Sequence, residues 1–425
     1  MYISFSDTPS TDDADAAKSG AAARVSSVVI TLGIVSMLTD VSSESTAAVL
    51  PLYITTVIGL GTVAYGFLDG IYQGVSAFVR IAGGWAADRG DQPKWIALFG
   101  YGLSAIARGF LLIATGFGAI LGVLAADRIG KGFRTAPRDA LISAASEPSN
   151  LGRSFGMHRM LDTIGAAAGP LLAFLILFFI PDGYGVVFVV SFAFALMGVA
   201  ILGLAVPNLR PRRQAQAAAR AQNPDARRVP FSWRALANPA LRRLLVVAGV
   251  LGLLTIGDGF LYLLLMDRDG FAAEFFPLLY VGTNIVFLAL AVPIGRLADR
   301  FGRIRVFVIG YAALLAAYVC AAIPAFGFVS TIVCLALLGV FYAATDGILA
   351  AIAAMSTPEQ SRATGIAAAQ TVVAVARLIA STGFGLLWFA VGPEFAIIIV
   401  SVALAIAIPI IAMMLRTRSN ATEAA

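Results

Sequence analysis

Charge is scarce in this sequence: 13% of its 425 residues are Asp, Glu, Lys or Arg, about half the share in an average soluble domain. So few charges cannot clothe a water-facing surface for a chain of this length. Histidine occurs once, at His158, and cysteine twice, at Cys320 and Cys334. A single histidine excludes a histidine-rich metal site. The cysteines lie inside apolar stretches and form no Cys-x-x-Cys pair, so they read as small hydrophobes rather than as a disulfide framework, a zinc site or a redox couple. No Gly-x-Ser-x-Gly element is present, and the Gly130-Lys131-Gly132 stretch has neither the spacing nor the Ser/Thr of a phosphate-binding loop. An enzyme active site, a cofactor and ATP hydrolysis are therefore not expected. Residues 1–24 carry Asp7, Asp12, Asp13 and Asp15 and lack the basic start and cleavage site of a signal peptide; a disordered cytoplasmic tail is expected there.

What is abundant is apolar surface. Hydrophobic residues make up 59% of the chain and the mean hydropathy is +0.88, so lipid is the expected solvent for most of it. In hydrocarbon, long apolar runs must satisfy their own backbone hydrogen bonds, which predicts helices; the short alternating segments of a membrane barrel are absent. The expected fold is all-α, with about twelve transmembrane segments at 26–57, 62–84, 95–115, 118–145, 154–180, 184–206, 242–266, 275–296, 305–324, 327–355, 362–390 and 394–415. These divide into a six-helix bundle over 25–206 and another over 242–416, with a basic linker, 207–241, between them and a short tail, 417–425, after them. The linker holds Arg210, Arg212, Arg213, Arg220, Arg227, Arg228 and Arg234 against one acid, Asp225. Arg89, Lys94, Arg153, Arg300, Arg303, Arg305 and Arg362 fall in loops on the linker's side, whereas the opposite loops carry Asp182, Asp267, Asp269, Glu274 and Glu394 beside one Arg268. The positive-inside rule then makes the linker and both termini cytoplasmic, in a multi-pass inner-membrane protein. The same rule accounts for the net charge of +6 without nucleic acid as a partner.

The two halves share a repeat. Gly84-Trp-Ala-Ala-Asp88-Arg89, with Lys94, returns half a chain later as Gly295-Arg-Leu-Ala-Asp299-Arg300-Phe-Gly302-Arg303-Ile-Arg305, each copy following its half's second segment. With this repeat the whole chain resembles the major facilitator superfamily, whose signature loop lies at that place. The first copy departs from the pattern at Asp91, Gln92 and Pro93. Arg128-Ile-Gly-Lys131-Gly132-Phe-Arg134 looks like the family's Arg-x-x-Gln-Gly element with lysine replacing glutamine. In the fifth segment, Gly165-Ala-Ala-Ala-Gly169-Pro170 resembles the Gly-x-x-x-Gly-Pro motif of proton-coupled exporters, with Leu172 and Ala173 where its closing glycines stand. The strings Arg134-Thr-Ala-Pro-Arg138-Asp139 and Met157-His158-Arg159 to Ala166 look like one bacterial branch of the family. The resemblance implies a secondary transporter that rocks two six-helix bundles around a central site and works as a monomer on a small-molecule solute.

Ionisable residues inside the apolar segments are the informative ones, since each costs about 2.5–3.5 kcal/mol at a helix centre. Deepest by position are Asp40 and Glu44 in segment 1, Arg128 and Lys131 in segment 4, Asp162 in segment 5, Asp258 in segment 7, Asp346 in segment 10 and Arg377 in segment 11. Facing lipid unpaired, the eight would together cost on the order of 20–28 kcal/mol. They must face a polar cavity or one another. Asp40 and Glu44 are one helical turn apart and share a face with Ser43 beside them. Like charges there disfavour joint ionisation, as a carrier that takes up and releases protons requires. The pair is expected to bind a coupling proton or a cationic group of the solute; the other reading is a static ion pair with Arg128 or Lys131.

Arg128, Lys131 and Arg134 share a helix face and need an acid, for which Asp162 is the nearest candidate by helix order. His158, one turn before it, is either a member of that group or a hydrogen-bonded residue near the inner membrane face. The resemblance implies a cavity role for Arg128, and it places segments 7 and 10, with Asp258 and Asp346, around the cavity. A buried contact of Asp346 with Arg377 is the other reading. Tyr72, Gln73, Tyr262, Asn284, Tyr342 and Gln370 could add hydrogen bonds. Asp88 and Asp299, beside Arg89 and Arg300 with Arg303 nearby, are expected to act as a gate that pairs across the halves in one conformation, or simply to set topology. Gly165, Gly169 and Pro170 permit close helix approach and a kink. The expected function is proton-coupled export of a small organic solute or drug, with uptake as the alternative within transport and a transport-inactive sensor or scaffold as the alternative outside it.

Overall fold

The computed structural model describes residues 25–147, 150–209, 238–323, 327–357 and 362–416, with the side chains at 77–78, 80–90, 362–364 and 415–416 excepted. The N-terminal tail, the C-terminal tail and the linker arginines therefore lie outside the described residues. Within them every regular element is a helix, as the self-contained hydrogen bonding of apolar chain in lipid dictates.

The long helices, in chain order, are α1 Ser27–Val57, α2 Thr62–Gly90, α3 Pro93–Leu111, α4 Gly116–Ala144, α5 Leu151–Phe179 and α6 Tyr184–Ala205, then α7 Pro239–Asp269, α8 Phe276–Phe301, α9 Arg303–Ala322, α10 Phe328–Met355, α11 Arg362–Val391 and α12 Pro393–Arg416. They coincide with the twelve expected segments to within a turn or two. Among the described residues, nine of them are long and apolar enough to cross a membrane. The remaining three, α2, α3 and α4, carry Asp69, Arg108, Asp127, Arg128 and Lys131, which supply part of the site described below.

In the first half α1 packs on α5 and α6, and α3 and α2 pack on α4. In the second, α10 packs on α8 and α9, and α7 packs on α11. The halves meet through α2 against α11 and α5 against α8. The start of α1, the end of α6, the start of α7 and the end of α12 share one end of the bundle, called the linker end. The α1–α2, α5–α6, α7–α8 and α11–α12 turns form the far end.

Helices α7 and α10 are broken mid-span. In α7 the helix stops at Leu253 and restarts at Asp258. Tyr318 of α9 makes the break tolerable: its hydroxyl accepts the Ile256 N–H at 2.7 Å and donates to Leu254 O at 3.4 Å. In α10 the break falls at Asp346 and Gly347, where Gly347 takes φ +82, a left-handed value that glycine adopts without strain. Non-helical backbone at membrane depth survives only where protein or a wet cavity receives its polar groups, and both breaks border the cavity described next.

At the far end the halves are sealed. Gly66 and Gly70 of α2 lie on α11 so closely that a Cβ on Gly66 would stand 3.1 Å from Gly385 Cα, and one on Gly70 would stand 2.7 Å from Leu378 O. Beside them Phe260 of α7 is 0% exposed and packs edge-on against Tyr65 and Phe384, with centroids 4.7 and 5.1 Å away.

Candidate functional site

Beneath that seal lies a cavity of about 390 Å³ lined by both halves. Glu44 of α1 and Arg128 and Lys131 of α4 face Asp258 of α7, Asp346 of α10 and Arg377 of α11 across it. Six of the eight charges expected at depth thus border one opening. Tyr72, Gln73, Tyr262, Asn284 and Tyr342 line it as well. From it a further space of about 280 Å³ leads between α10 and α11 past Leu349, Ala350, Ala367 and Gln370. Those residues follow the cavity's own toward the linker end, so the conformation is closed at the far end and leads toward the linker end.

The charges fall into three groups. The first is Arg128, anchored rather than free. Its Nε donates to Asp127 at 2.9 Å and its Nη2 is ion-paired with the same carboxylate, while Arg108 of α3 donates to the other oxygen at 3.0 Å. The Arg128 guanidinium also stacks 3.7 Å from the centre of the Tyr72 ring, an attraction that grows as water is excluded. The sequence expectation that Asp162 neutralises this cation is corrected: Asp127, the adjacent residue, does so. All three members are buried, and the two guanidinium groups against one carboxylate leave a net positive charge facing the cavity.

The second group sits nearer the linker end, inside the first half, and does not line the cavity. Arg134 stands 3.5 Å from Asp40 and its guanidinium lies over Tyr101. Arg138 pairs with Asp139 at 2.9 Å and stands 3.9 Å from Asp162, which Arg159 approaches at 3.8 Å. Ser36 joins them, in contact with His158 Nε2 at 2.9 Å and Tyr101 Oη at 3.2 Å. Asp40 faces Asp162 across α1 and α5, with Lys131 between this group and the cavity. Of the Asp40–Glu44 pair, only Glu44 reaches the opening; His158 is the hydrogen-bonded residue of the second reading.

The third group belongs to the second half. Tyr342 donates to both oxygens of Asp258, at 2.7 and 2.8 Å. Arg377 has a buried Nε with no hydrogen-bond partner among the described residues. Neither it nor Lys131, Glu44 or Asp346 forms an ion pair within 4 Å there. These four are the charges left available to a solute.

Two expectations land elsewhere. Asp299 pairs with Arg303 one turn on, at 2.8 Å and exposed, and Arg300 lies over Phe301; among the described residues no pairing across the halves occurs at that copy. Asp88 and Arg89 lie in the α2 helix with their side chains outside the described residues. Gly165 and Gly169 seat α5 on α1: a Cβ on Gly169 would stand 2.9 Å from both Glu44 Cβ and Val41 O. The stretch ending at Pro170 thus packs the helix that carries Glu44 and lines no part of the cavity. Sequence reasoning missed Asp69, Asp127 and Arg108, although each is an ionisable residue inside an apolar segment, the same signal that singled out the others.

The sequence itself matches the profile described as Major Facilitator Superfamily over residues 32–283 and 259–425. The chain belongs to the major facilitator superfamily. An uncharacterized MFS-type transporter of Methanocaldococcus jannaschii is 30% identical over 380 residues, which is 86% of this chain and 89% of that one. Among solved structures, a point mutant of the nucleoside transporter NupG superposes with a TM-score of 0.78 at 16% identity, covering 91% of this chain and 99% of the other. A POT family transporter in complex with a thioalcohol-conjugated peptide gives 0.75 at 13% identity, covering 92% and 96%. At such identities the likeness is one of fold. The superfamily and the fold make this chain a multi-pass membrane transporter of small-molecule solutes and not an enzyme.

Proposed function

We propose that this transporter exports a small polar organic solute across the inner membrane in exchange for protons, with the linker end cytoplasmic. The observation that carries the reading is the charge on the cavity wall: Lys131, Glu44, Asp346 and Arg377 are held at membrane depth without ion-pair partners among the described residues, a cost that solute or proton binding offsets. A volume of about 390 Å³ suits a small organic molecule, and a wall with charges of both signs suits a polar one better than a greasy one. Both faces of the cavity come from this chain, so a monomer suffices. Glu44, accessible in the cavity and one turn from Asp40, is the carboxylate that exchanges the coupling proton. Export rather than uptake is supported by the resemblance of the Gly165-x-x-x-Gly169-Pro170 stretch to an exporter motif, from which it departs at Leu172 and Ala173.

The test is a solute screen in proteoliposomes with an imposed pH gradient. The reading expects a polar solute to move against the proton flux and its accumulation to collapse with an uncoupler. Glu44→Gln is expected to reduce gradient-driven accumulation at least ten-fold while solute exchange at equal pH persists. Full gradient-driven transport in both Glu44→Gln and Asp40→Asn removes the proton assignment, and movement in the same direction as the protons replaces export by uptake.

A further inference from the structure

Asp69 occupies a place that neither Glu44 nor Asp40 does. It projects from α2 of the first half into the second half, where its carboxylate accepts a hydrogen bond from Ser381 of α11. It lies over Gly257 at the α7 break, so closely that a Cβ there would collide with its Oδ2. Together with Asp258 it lines the cavity and, beside it, a narrow space of about 10 Å³, whose other walls include Gln73, Thr255, Tyr342 and Arg377. That is room for about one water. Neither carboxylate forms an ion pair within 4 Å among the described residues. Among the described residues Arg377 is the one cation lining this narrow space; it also interacts with Asp346 and leaves its Nε unpartnered. Two carboxylates share one guanidinium that ion-pairs with neither, at the sealed end of the cavity where water has little room, so the pair holds one negative charge more than its surroundings neutralise.

We propose that Asp69 and Asp258 hold one proton between them while the far end is closed, making the pair a proton-bound latch on that gate. The proposal rests on the proton-coupled reading above and adds a site to it. Opening the far end moves α2 away from α11, which takes Asp69 off Ser381 and out of the pocket it shares with Asp258. The two carboxyl groups then face water separately and the proton passes to water. The closed state thus binds one proton more than the open one, so acid favours closure and alkali favours opening. The other titratable groups around the pair are Tyr65 on α2, Tyr262 on α7, Tyr280 on α8, Tyr318 on α9, Tyr342 and Cys334 on α10 and Arg377 on α11, and Cys334 is absent from the variant tested below. Phenols and guanidinium groups of ordinary character keep their charge between about pH 5 and 9, which leaves the carboxyl pair to respond.

The test uses the full chain in lipid nanodiscs, with Cys320→Ser and Cys334→Ala, spin-labelled at Val57→Cys and Val391→Cys, two exposed positions at the far end of α1 and α11. Electron–electron distances are read at pH 5, 7 and 9 in sodium-free buffer. The ratio of open to closed far ends is expected to rise at least ten-fold from pH 5 to pH 9. Asp69→Asn is expected to stay closed throughout, Asp69→Glu to respond again, and Glu44→Gln to respond as the parent does. A pH response that survives in Asp69→Asn overturns the latch, as does a response to added sodium in place of pH. Loss of the response in Glu44→Gln alone overturns the latch while leaving proton coupling intact. A parent that ignores pH overturns the latch, and gradient-driven accumulation then judges the coupling separately.

Discussion

Replacing Asp127 by asparagine is expected to destabilise the transporter by about 3–5 kcal/mol, the usual consequence of removing one partner from a buried ion pair. The carboxylate accepts from Arg108 and Arg128 at once, and Arg108 Nη1 already has no partner among the described residues. Without Asp127 two guanidinium groups, 4% and 3% exposed, confront each other at membrane depth. Thermal unfolding of the detergent-solubilised protein measures this, as a large drop in transition temperature and yield. Adding Arg108→Gln to Asp127→Asn removes the surplus charge and is expected to recover part of the loss. A single variant as stable as the parent would show that the triad is not a structural unit.

The second large effect is expected at the α2–α11 seal. Gly66→Leu puts a side chain where Ser381 O and Gly385 Cα stand 2.5 and 3.1 Å from a Cβ, so the closed far end can no longer form. Opening is expected to part α2 from α11 and leave the same side chain unobstructed. The substitution therefore shifts the population rather than unfolding the chain: a closed-state penalty of about 3 kcal/mol changes the ratio over 100-fold. Transport is expected to fall by about that factor, with a monodisperse, well-folded protein whose far-end labels are separated at every pH. Unimpaired transport in Gly66→Leu contradicts the assignment of this contact as a gate.

The contrast between these sites and the rest of the molecule shows what a sequence of this kind discloses. The helices were legible because an apolar run of span length has one way to satisfy its backbone in lipid. The cavity charges were legible because Glu44, Arg128, Lys131, Asp258, Asp346 and Arg377 are costly anywhere else. Their pairing was not. Helix order nominated Asp162 for Arg128, yet the side chain of the neighbouring residue, Asp127, turns to it while Asp162 faces Arg138. Which residue on a helix meets which on another depends on rotation about each axis, and periodicity alone fixes that rotation poorly when apolar residues cover every face. The breaks in α7 and α10 were hidden for a related reason: Gly257 and Gly347 are common residues in membrane helices, and no local pattern reveals that the Tyr318 hydroxyl, from another helix, receives the Ile256 N–H freed at the first break.

The cavity charges are expected to survive at membrane depth because they border a path open to water from one side at a time. Cysteine accessibility reads that path: Ser76→Cys and Asn284→Cys, in a Cys320→Ser and Cys334→Ala background, are challenged with a membrane-impermeant thiol reagent from each side of the membrane. Both positions border the cavity and are expected to react from the linker end in the parent and from the far end once Gly66→Leu is added. Failure of both to react from either side, while a Glu274→Cys control on the far-end surface is labelled, would contradict a water-accessible path.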